Sequence, residues 1–412
     1  MKPRLLFVSP RALMPTDEGG KIRTANILRR MKGGAFTITL ASPAPPDPAR
    51  DLPATEALCD RFVSWPAARP SFLRRGLALL GRLPVSVATD RSEAGRQAVA
   101  GALAEGADVV VIDFPHAAVL AAPPFGVPAV LFTHNVEAEI LERHAELARG
   151  LWRPVWRSQA RKMDAFEGGV ARGFDSVIAV SDRDARALAR RFGLARVETI
   201  DTGVDLAFFG FRAPGEAAPV AEDGGRVVFT GVMDSPANID GVQHFLTEVW
   251  PLIVATRPRA EAVIVGRNPP ESLVSAARER HPGVRFTGFV DDIRPHVQGA
   301  DVAVIPLRVG SGTRIKAFEA MAMGRPVVST TIGVEGLAVT PEEHLLIADA
   351  PAPFAAAVLR LLGDAALRAR LAAAARGLLE QRFSWAHVAR QFEAICLGVL
   401  PAPATAPVAG GV

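Results

Sequence analysis

The segment from Arg285 to Leu337 constrains the fold of this chain most, because it alternates buried-strand patterns with a glycine-rich turn and a short helix. Continuous apolar runs are typical of strands that are covered on both faces of a sheet. Two such strands separated by a helix predict a parallel pair with a crossover connection. In chain order, the predicted elements are the strand Val302–Pro306, the turn Gly310–Thr313, the helix Ile315–Met323, its stop Gly324 and the strand Pro326–Thr330.

The start of this predicted helix is suited to binding an anion. Backbone N–H groups at a helix start carry roughly half a positive charge, which favours a phosphate at Gly312 and Thr313. Arg314 and Lys316 follow in the sequence, Arg314 as a bidentate donor and Lys316 as a point charge. The alternative is that both are ordinary solvated side chains.

The alternation of strands and helices extends over most of the chain and breaks in Phe208–Arg226, an aperiodic stretch rich in Pro, Gly and Ala. It predicts two α/β units joined by a linker. The predicted strands of the first unit are Leu5–Val8, Ile38–Ala41, Val109–Asp113, Ala129–Thr133, Val177–Val180 and Val197–Asp201. Those of the second unit are Val227–Gly231, Ala262–Gly266, Val284–Thr287 and the two strands given above.

Composition and charge limit the functional classes. A chain of 412 residues with 49% hydrophobic residues is long enough for two domains. Its formal charge of +4 comes from an arginine-rich sequence without zinc-finger spacing or RNA-binding aromatic motifs, so we predict no nucleic-acid partner. Cys59 and Cys396 are too few and too far apart for a disulfide framework. The apolar runs are too short or too proline-rich for a signal peptide or a spanning helix, so we expect a cytoplasmic protein, soluble or peripheral.

The sequence PLRVGSGTRIKAFEAMAMGRPVV, followed by GVEGL, resembles the donor-binding segment of the family-four glycosyltransferases, which have the GT-B fold. The resemblance implies an α/β chain with two Rossmann-like domains facing a central cleft and a C-terminal helix that returns to the first domain. The expected parts are an acceptor domain at 1–207, a linker at 208–224, a nucleotide-sugar domain at 225–383, the returning helix at 384–400 and a disordered tail at 401–412.

Glu319 matches the second glutamate of the family's Glu-x7-Glu motif, so the resemblance implies that its carboxylate binds the ribose hydroxyls of the donor. Without the resemblance, a surface pair between Lys316 and Glu319 is the simpler interpretation. The first glutamate of the motif falls at position 311, where this chain has Ser311. A serine can bind a sugar hydroxyl but cannot supply a negative charge to the transition state.

The family often places two cations after the first strand of the second domain, but the sequence Gly231–Gly241 contains neither Arg nor Lys. We infer that Arg314 and Lys316 take over part of that role. Gly19 and Gly20 resemble the family's N-terminal glycine loop, in which backbone approaches the donor closely, although a pair of glycines is a weak signal alone. The remaining predicted donor-binding residues are Gly231, Gly266, Val290, Ser311, Gly312 and Thr313.

His134 follows the predicted strand Ala129–Thr133 and matches the family's cleft histidine, which contacts the donor sugar. We therefore predict that His134, Arg314 and Lys316 are the catalytic residues, with Asp113 and His116 in reserve. A lone histidine at a strand end is more often a structural hydrogen-bonding group, and that alternative stays open. Asp182-Arg183-Asp184 spells an acidic metal-binding triplet, but it follows Ser181 at a helix start, where acids favour the helix dipole. We predict no metal and no cofactor.

Two basic apolar stretches, Arg69–Leu83 and Arg149–Met163, contain no acidic residue. Arginine interleaved with Leu, Phe or Trp is typical of segments that lie on an anionic membrane surface, and equally of amphipathic helices that pack within a domain. The prediction from the sequence is a retaining, metal-independent glycosyltransferase with a nucleotide sugar as donor and a glycan or lipid-linked acceptor, resembling transferases of exopolysaccharide synthesis. The alternatives are an epimerase or phosphorylase of the same fold and a non-catalytic nucleotide-sugar-binding protein.

Overall fold

The structure is a computed structural model that describes residues 2–16, 18–67, 72–148, 150, 152–213, 223–309 and 315–401, without the side chains of 72–74 and 147. The chain forms two compact units, Met1–Asp201 with Trp385–Val412, and Thr202–Ser384. Each unit contains one sheet of parallel strands with helices between the strands, which confirms the predicted α/β class.

The first unit contains a seven-stranded sheet in the order β3-β2-β1-β4-β5-β6-β7. Its strands are β1 (Arg4–Val8), β2 (Thr37–Pro43), β3 (Arg61–Trp65), β4 (Val109–Asp113), β5 (Ala129–Phe132), β6 (Ser176–Ala179) and β7 (Val197–Thr199). Its helices are α1 (Gly19–Met31), α2 (Pro48–Glu56), α3 (Phe72–Ala78), α4 (Val85–Thr89), α5 (Glu93–Ala104), a 3-10 turn (Pro115–Val119), α6 (Glu137–Leu147), α7 (Trp152–Ala171) and α8 (Asp182–Phe192).

The second unit contains a six-stranded sheet in the order β10-β9-β8-β11-β12-β13. Its strands are β8 (Gly224–Thr230), β9 (Arg259–Val265), β10 (Val284–Gly288), β11 (Val302–Ile305), β12 (Val327–Ser329) and β13 (Leu346–Ile347). Its helices are α9 (Pro236–His244), α10 (Trp250–Thr256), α11 (Glu271–Arg280), α12 (Arg294–Gln298), α13 (Ile315–Ala322), α14 (Pro351–Gly363) and α15 (Ala365–Leu378), with short turns at Phe245–Val249, Ile332–Val334 and Leu379–Phe383.

Burial explains why the central strands were recognisable in the sequence. Every residue of β4 and of β5 is buried, because helices cover both faces of the parallel sheet. The register pairs Asp113 with Phe132, so the ends of these two neighbouring strands lie side by side. In the second unit, Gly324 adopts φ +74° directly after α13, the left-handed conformation in which glycine commonly ends a helix.

The last helix, α16 (Trp385–Gly398), packs on the first unit, as the fold prediction required. The ring of Phe392 lies 5.1 Å from that of Phe132 and 6.3 Å from that of Phe7. The Glu393 carboxylate accepts a hydrogen bond of 2.7 Å from the backbone N–H of Ala35. Apolar packing and a polar anchor therefore both hold this helix on the first sheet.

The first unit ends at Asp201, whereas the sequence placed the domain boundary at 207 and the linker at 208–224. Leu206 and Phe209 pack against the core of the second unit, which explains why the apolar residues after Asp201 belong to that unit. Residues 214–222 of the expected linker and 402–412 of the expected tail lie outside the described residues. In the part of the chain that is described, no helix is long and apolar enough to cross a membrane.

Candidate functional site

In the first unit, the ends of β4 and β5 bring Asp113 and His134 together. The His134 ring lies 2.7 Å from Asp113 through Nε2 and 2.9 Å from the Arg23 guanidinium through Nδ1. Arginine can only donate, so Nδ1 accepts and Nε2 carries the proton that is donated to Asp113. All three side chains are buried. The structure therefore holds His134 as one defined neutral tautomer.

Burial and charge act on these groups in opposite directions. Burial lowers the pKa of His134, and the adjacent Asp113 carboxylate opposes that shift. Burial also lowers the pKa of Arg23 to about 10, with Asp113 as the nearest opposing charge, so Arg23 stays protonated at neutral pH. Asp113 additionally accepts hydrogen bonds from Ser9 Oγ at 3.0 Å and from Thr24 Oγ1 at 3.3 Å.

The packing around His134 determines which of its groups a ligand can reach. Its ring stacks on Phe114 at 4.0 Å and contacts Phe132 at 4.4 Å between ring centroids. Both ring nitrogens are engaged by Asp113 and Arg23. A hydrogen bond from a ring nitrogen to a sugar would thus require an exchange of one of these partners.

The two N-terminal glycines differ from the expected loop, because they form the first turn of α1. The sequence placed the start of that helix near Thr24, and this boundary was wrong. A Cβ atom on Gly20 would lie only 2.7 Å from the Phe114 ring and 3.6 Å from His134 Nδ1, whereas one on Gly19 would meet nothing within 4 Å. Gly20 thus lets α1 approach the aromatic pair, and Gly19 leaves open space.

His116, a reserve candidate, is buried and lies 3.5 Å from the Asp90 carboxylate through Nδ1. Among the described residues, neither nitrogen of its ring has a hydrogen-bond partner. Burial lowers the pKa of His116 to about 4 and raises that of Asp90 to about 6, and Arg11 is the nearby cation for both. Asp90 gave no signal in the sequence, because it is a single acid after a short helix.

In the second unit, the predicted donor-binding residues Gly231 and Gly266 follow β8 and β9, and the predicted catalytic residue Lys316 on α13 lies beside Gly231. Lys316 donates a hydrogen bond of 2.8 Å to Asn238 Oδ1 and lies 4.6 Å from the centre of the Phe229 ring. A Cβ atom on Gly231 would come within 3.0 Å of Lys316 Nζ, and one on Gly266 would collide with the Gly231 carbonyl. Close packing against backbone therefore requires a glycine at Gly266, whereas at Gly231 only the ends of Asn238 and Lys316 would have to move. Asn238 was missed by the sequence analysis.

Glu319 lies one turn after Lys316 on α13, half-buried against a cavity of about 10 Å³ that it shares with Lys316 and Thr230. Such a cavity has room for about one water. Burial raises the pKa of Glu319 to about 7, and the Lys316 charge opposes this. The simpler interpretation was a solvent-exposed pair between Lys316 and Glu319. The environment of Glu319 differs from that, because a fully solvated carboxylate would not show this pKa shift.

Of the other predicted donor-binding residues in the second unit, the structure describes Val290 but not the residues of the glycine-rich turn. Val290 is half-buried against the core of the second unit. Ser311, Gly312, Thr313 and Arg314 lie outside the described residues, so their predicted roles stay predictions. The acidic triplet lies at the start of α8, where Ser181 Oγ accepts a hydrogen bond of 3.1 Å from the Asp184 N–H as a helix cap.

Comparison with known proteins assigns both units. The family described as Glycosyltransferase Family 4 matches residues 18–208, and the family described as Glycosyl transferases group 1 matches residues 224–364. The chain is 29% identical over 284 residues to a glycogen synthase of Mycobacterium tuberculosis, covering 66% of this chain and 64% of that protein. It is 33% identical over 218 residues to a phosphatidyl-myo-inositol mannosyltransferase of Mycolicibacterium smegmatis, covering 52% of this chain and 55% of that protein. The chain thus spans less than two thirds of the length of these relatives.

A solved structure of Alr3699/HepE from Anabaena, in complex with UDP-glucose, matches with a TM-score of 0.63 and 16% identity over 96% of this chain and 99% of that one. At this identity the match concerns the fold alone. The two matches together include strands β2 to β13 and confirm the resemblance found in the sequence. The chain belongs to the family-four glycosyltransferases with the GT-B fold.

Proposed function

We propose that this protein transfers a sugar from a nucleoside diphosphate sugar to a glycan or lipid-linked acceptor, with retention of configuration and without a metal or cofactor. The observation that carries the proposal is the cluster of Gly231, Lys316 and Glu319 at the strand ends of the group 1 domain. It combines a cation, a close backbone approach and a half-buried carboxylate, which are the groups that a diphosphate and a ribose need.

The chemistry of the proposed reaction follows from these charges. The bond between the anomeric carbon and the diphosphate breaks while the acceptor oxygen forms its bond on the same face, and the acceptor proton passes to the departing phosphate oxygen. Lys316 stabilises the negative charge that develops on the diphosphate, as preorganised electrostatic groups do in other enzymes. Ser311 supplies no carboxylate, so in this proposal the stabilisation comes from the leaving-group side.

The relatives support a sugar transfer, since two of them are named as a glycogen synthase and a mannosyltransferase. The solved fold relative is in complex with UDP-glucose, which supports a nucleotide sugar as the donor. A panel of nucleoside diphosphates and their sugars, screened by thermal shift, tests donor binding, because a ligand that binds only the folded state raises the melting temperature. Product analysis by mass spectrometry and NMR then tests transfer and anomeric configuration, and turnover in EDTA equal to that in buffer would support metal independence.

A non-catalytic sugar-nucleotide-binding protein is the second candidate, and Ser311 in place of the motif glutamate favours it. One experiment distinguishes a binding protein from a transferase. Donor binding without hydrolysis or transfer, with the variant Ser311→Glu as a comparison, would support the binding protein. Transfer by the unmodified chain would exclude it, and conversion of the donor sugar without an acceptor would indicate an epimerase.

We also propose that the first unit acts on the inner face of the plasma membrane, in the synthesis of an exopolysaccharide. Leu77, Leu80 and Trp152 are 69%, 88% and 66% exposed, an unusual exposure for large apolar side chains. Lys162 on α7 donates a hydrogen bond of 2.7 Å to the Leu79 carbonyl, so the two basic stretches lie next to each other. Leu77→Glu with Leu80→Glu should abolish flotation with anionic liposomes, and flotation equal to that of the unmodified chain would contradict the role of these residues.

A further inference from the structure

Helices α6, α7 and α8 of the first unit enclose a groove of about 440 Å³. Its size falls within the range of small-ligand sites. The groove belongs to neither of the two clusters described above, which lie at the strand ends. It is lined by Glu142, Ala145, Glu146, Arg153, Arg157, Ala160, Arg161, Asp164 and Arg191.

Two of the three acids in this groove share one arginine as their partner. Arg191 lies 3.0 Å and 2.5 Å from the two carboxylate oxygens of Glu142 and 2.5 Å from Asp164. These hydrogen bonds raise the pKa of Arg191. With four arginines and three acids, the groove lining carries a net formal charge of +1.

The arginines of α7 form a row on the other side. Arg153, Arg157 and Arg161 follow one another at intervals of four residues, so they share one face of the helix. All three are exposed, and within the described part of the chain none has an acidic partner. Like charges at this spacing repel each other, so a bound anion would relieve the repulsion.

We propose that this arginine groove binds the phosphate groups of anionic phospholipid headgroups. The planar guanidinium matches a phosphate through two parallel hydrogen bonds, and three adjacent guanidinium groups fit a surface on which phosphates are close together. Trp152 precedes the row and is 66% exposed. Tryptophan is favoured at the level of the headgroups, so the row and the ring fit the same surface. The proposal rests on the proposed membrane-surface role of the first unit.

The test is flotation of the full chain with phosphatidylcholine vesicles that do or do not contain phosphatidylglycerol. The variant Arg153→Gln, Arg157→Gln, Arg161→Gln should partition onto the anionic vesicles roughly 10²-fold more weakly, from about 1 kcal/mol for each basic residue at the surface. A matched control, Arg278→Gln, Arg280→Gln, Arg285→Gln, removes the same charge from exposed positions of the second unit and should keep the binding. The proposal would be overturned if both variants lost vesicle binding equally, or if neither variant lost it.

Two further arms make the result independent of the folding of the variant. Binding of the unmodified chain to anionic vesicles should fall steeply with salt, and binding that resists salt would contradict a phosphate contact through arginines. If inorganic pyrophosphate stabilises the chain against thermal unfolding but the chain does not bind anionic vesicles, the ligand is a soluble phosphate. That result would also overturn the proposal. Donor binding is tested separately, by calorimetry with nucleoside diphosphates. Absence of donor binding would count against the proposed glycosyltransferase function, whereas the vesicle experiments test only the lipid contact.

Discussion

The Nε2 atom of His134 lies 2.7 Å from Oδ1 of Asp113, and both side chains are buried at the end of adjacent parallel strands. With Arg23 on Nδ1, this contact fixes both nitrogens of the imidazole. The arrangement resembles the orientation of a working histidine by a buried acid. It also explains how His134 holds its ring orientation without a ligand.

On the hypothesis that His134 acts on the sugar and not on the nucleotide, His134→Ala should lower turnover by on the order of 10² or more while nucleotide affinity changes little. Calorimetry with the nucleoside diphosphate and initial rates with the nucleotide sugar separate the two effects. An equal fall in nucleotide affinity and turnover would assign His134 to nucleotide binding.

Asp113→Asn should destabilise the first unit by about 3 kcal/mol, because it leaves the buried Arg23 cation without its opposing charge. Urea unfolding measures this loss. Ser9→Ala is the matched control, since it removes only the 3.0 Å hydrogen bond to Asp113 and should cost about 1 kcal/mol. If the two variants unfold at the same urea concentration, the charge of Asp113 does not stabilise Arg23.

Lys316→Ala should weaken binding of a nucleoside diphosphate by roughly tenfold or more and leave binding of the nucleoside unchanged, as expected for one charged hydrogen bond. Arg308→Ala is a control of equal charge, because Asp240 already neutralises Arg308. Combining Lys316→Ala with Arg314→Ala should remove most of the preference for the diphosphate. A double variant that keeps this preference would move the phosphate site elsewhere, with Gly20 and Lys21 the next place to look.

The central strands could be predicted because burial on both faces leaves an uninterrupted apolar signature. The edge strand β3 was missed, since four of the five residues of its sequence RFVSW are exposed or partly buried and it carries no such run. The partners in the sites could not be found in this way. Arg23 is 111 residues from His134, and Asn238 is 78 residues from Lys316, so only the folded sheet brings them together.

If Glu319 binds the ribose, nucleotide affinity should increase as the pH rises through about 7, the pKa of the Glu319 carboxyl, because the ionised form accepts a strong hydrogen bond on each of its two oxygens. Calorimetry with the nucleoside excludes titration of the phosphates. Glu319→Gln should weaken nucleoside binding above pH 7 and remove the pH dependence, with little effect on folding. A pH-dependent affinity that persists in Glu319→Gln would assign the titration to another group.

The last prediction concerns Glu167, a buried residue of α7 whose carboxylate lies against the start of α6. It accepts hydrogen bonds from the backbone N–H groups of Glu137 at 3.0 Å and Ala138 at 2.9 Å. Burial raises the pKa of Glu167 from 4.5 to about 7, although these N–H groups oppose the shift. The folded state therefore binds more protons than the unfolded state between these two pH values.

The contribution of this group to stability is fully present below pH 4.5, is lost as the pH rises through about 7 and changes no further above it. The total change is up to about 3 kcal/mol for a shift of this size. Glu167→Gln keeps one oxygen, which can accept one of the two N–H bonds, and does not titrate. Its stability should therefore be lower, but urea unfolding between pH 5 and 8 should show a smaller dependence on pH than in the unmodified chain. Identical slopes for the two proteins would show that Glu167 ionises in the folded state as it does in the unfolded one.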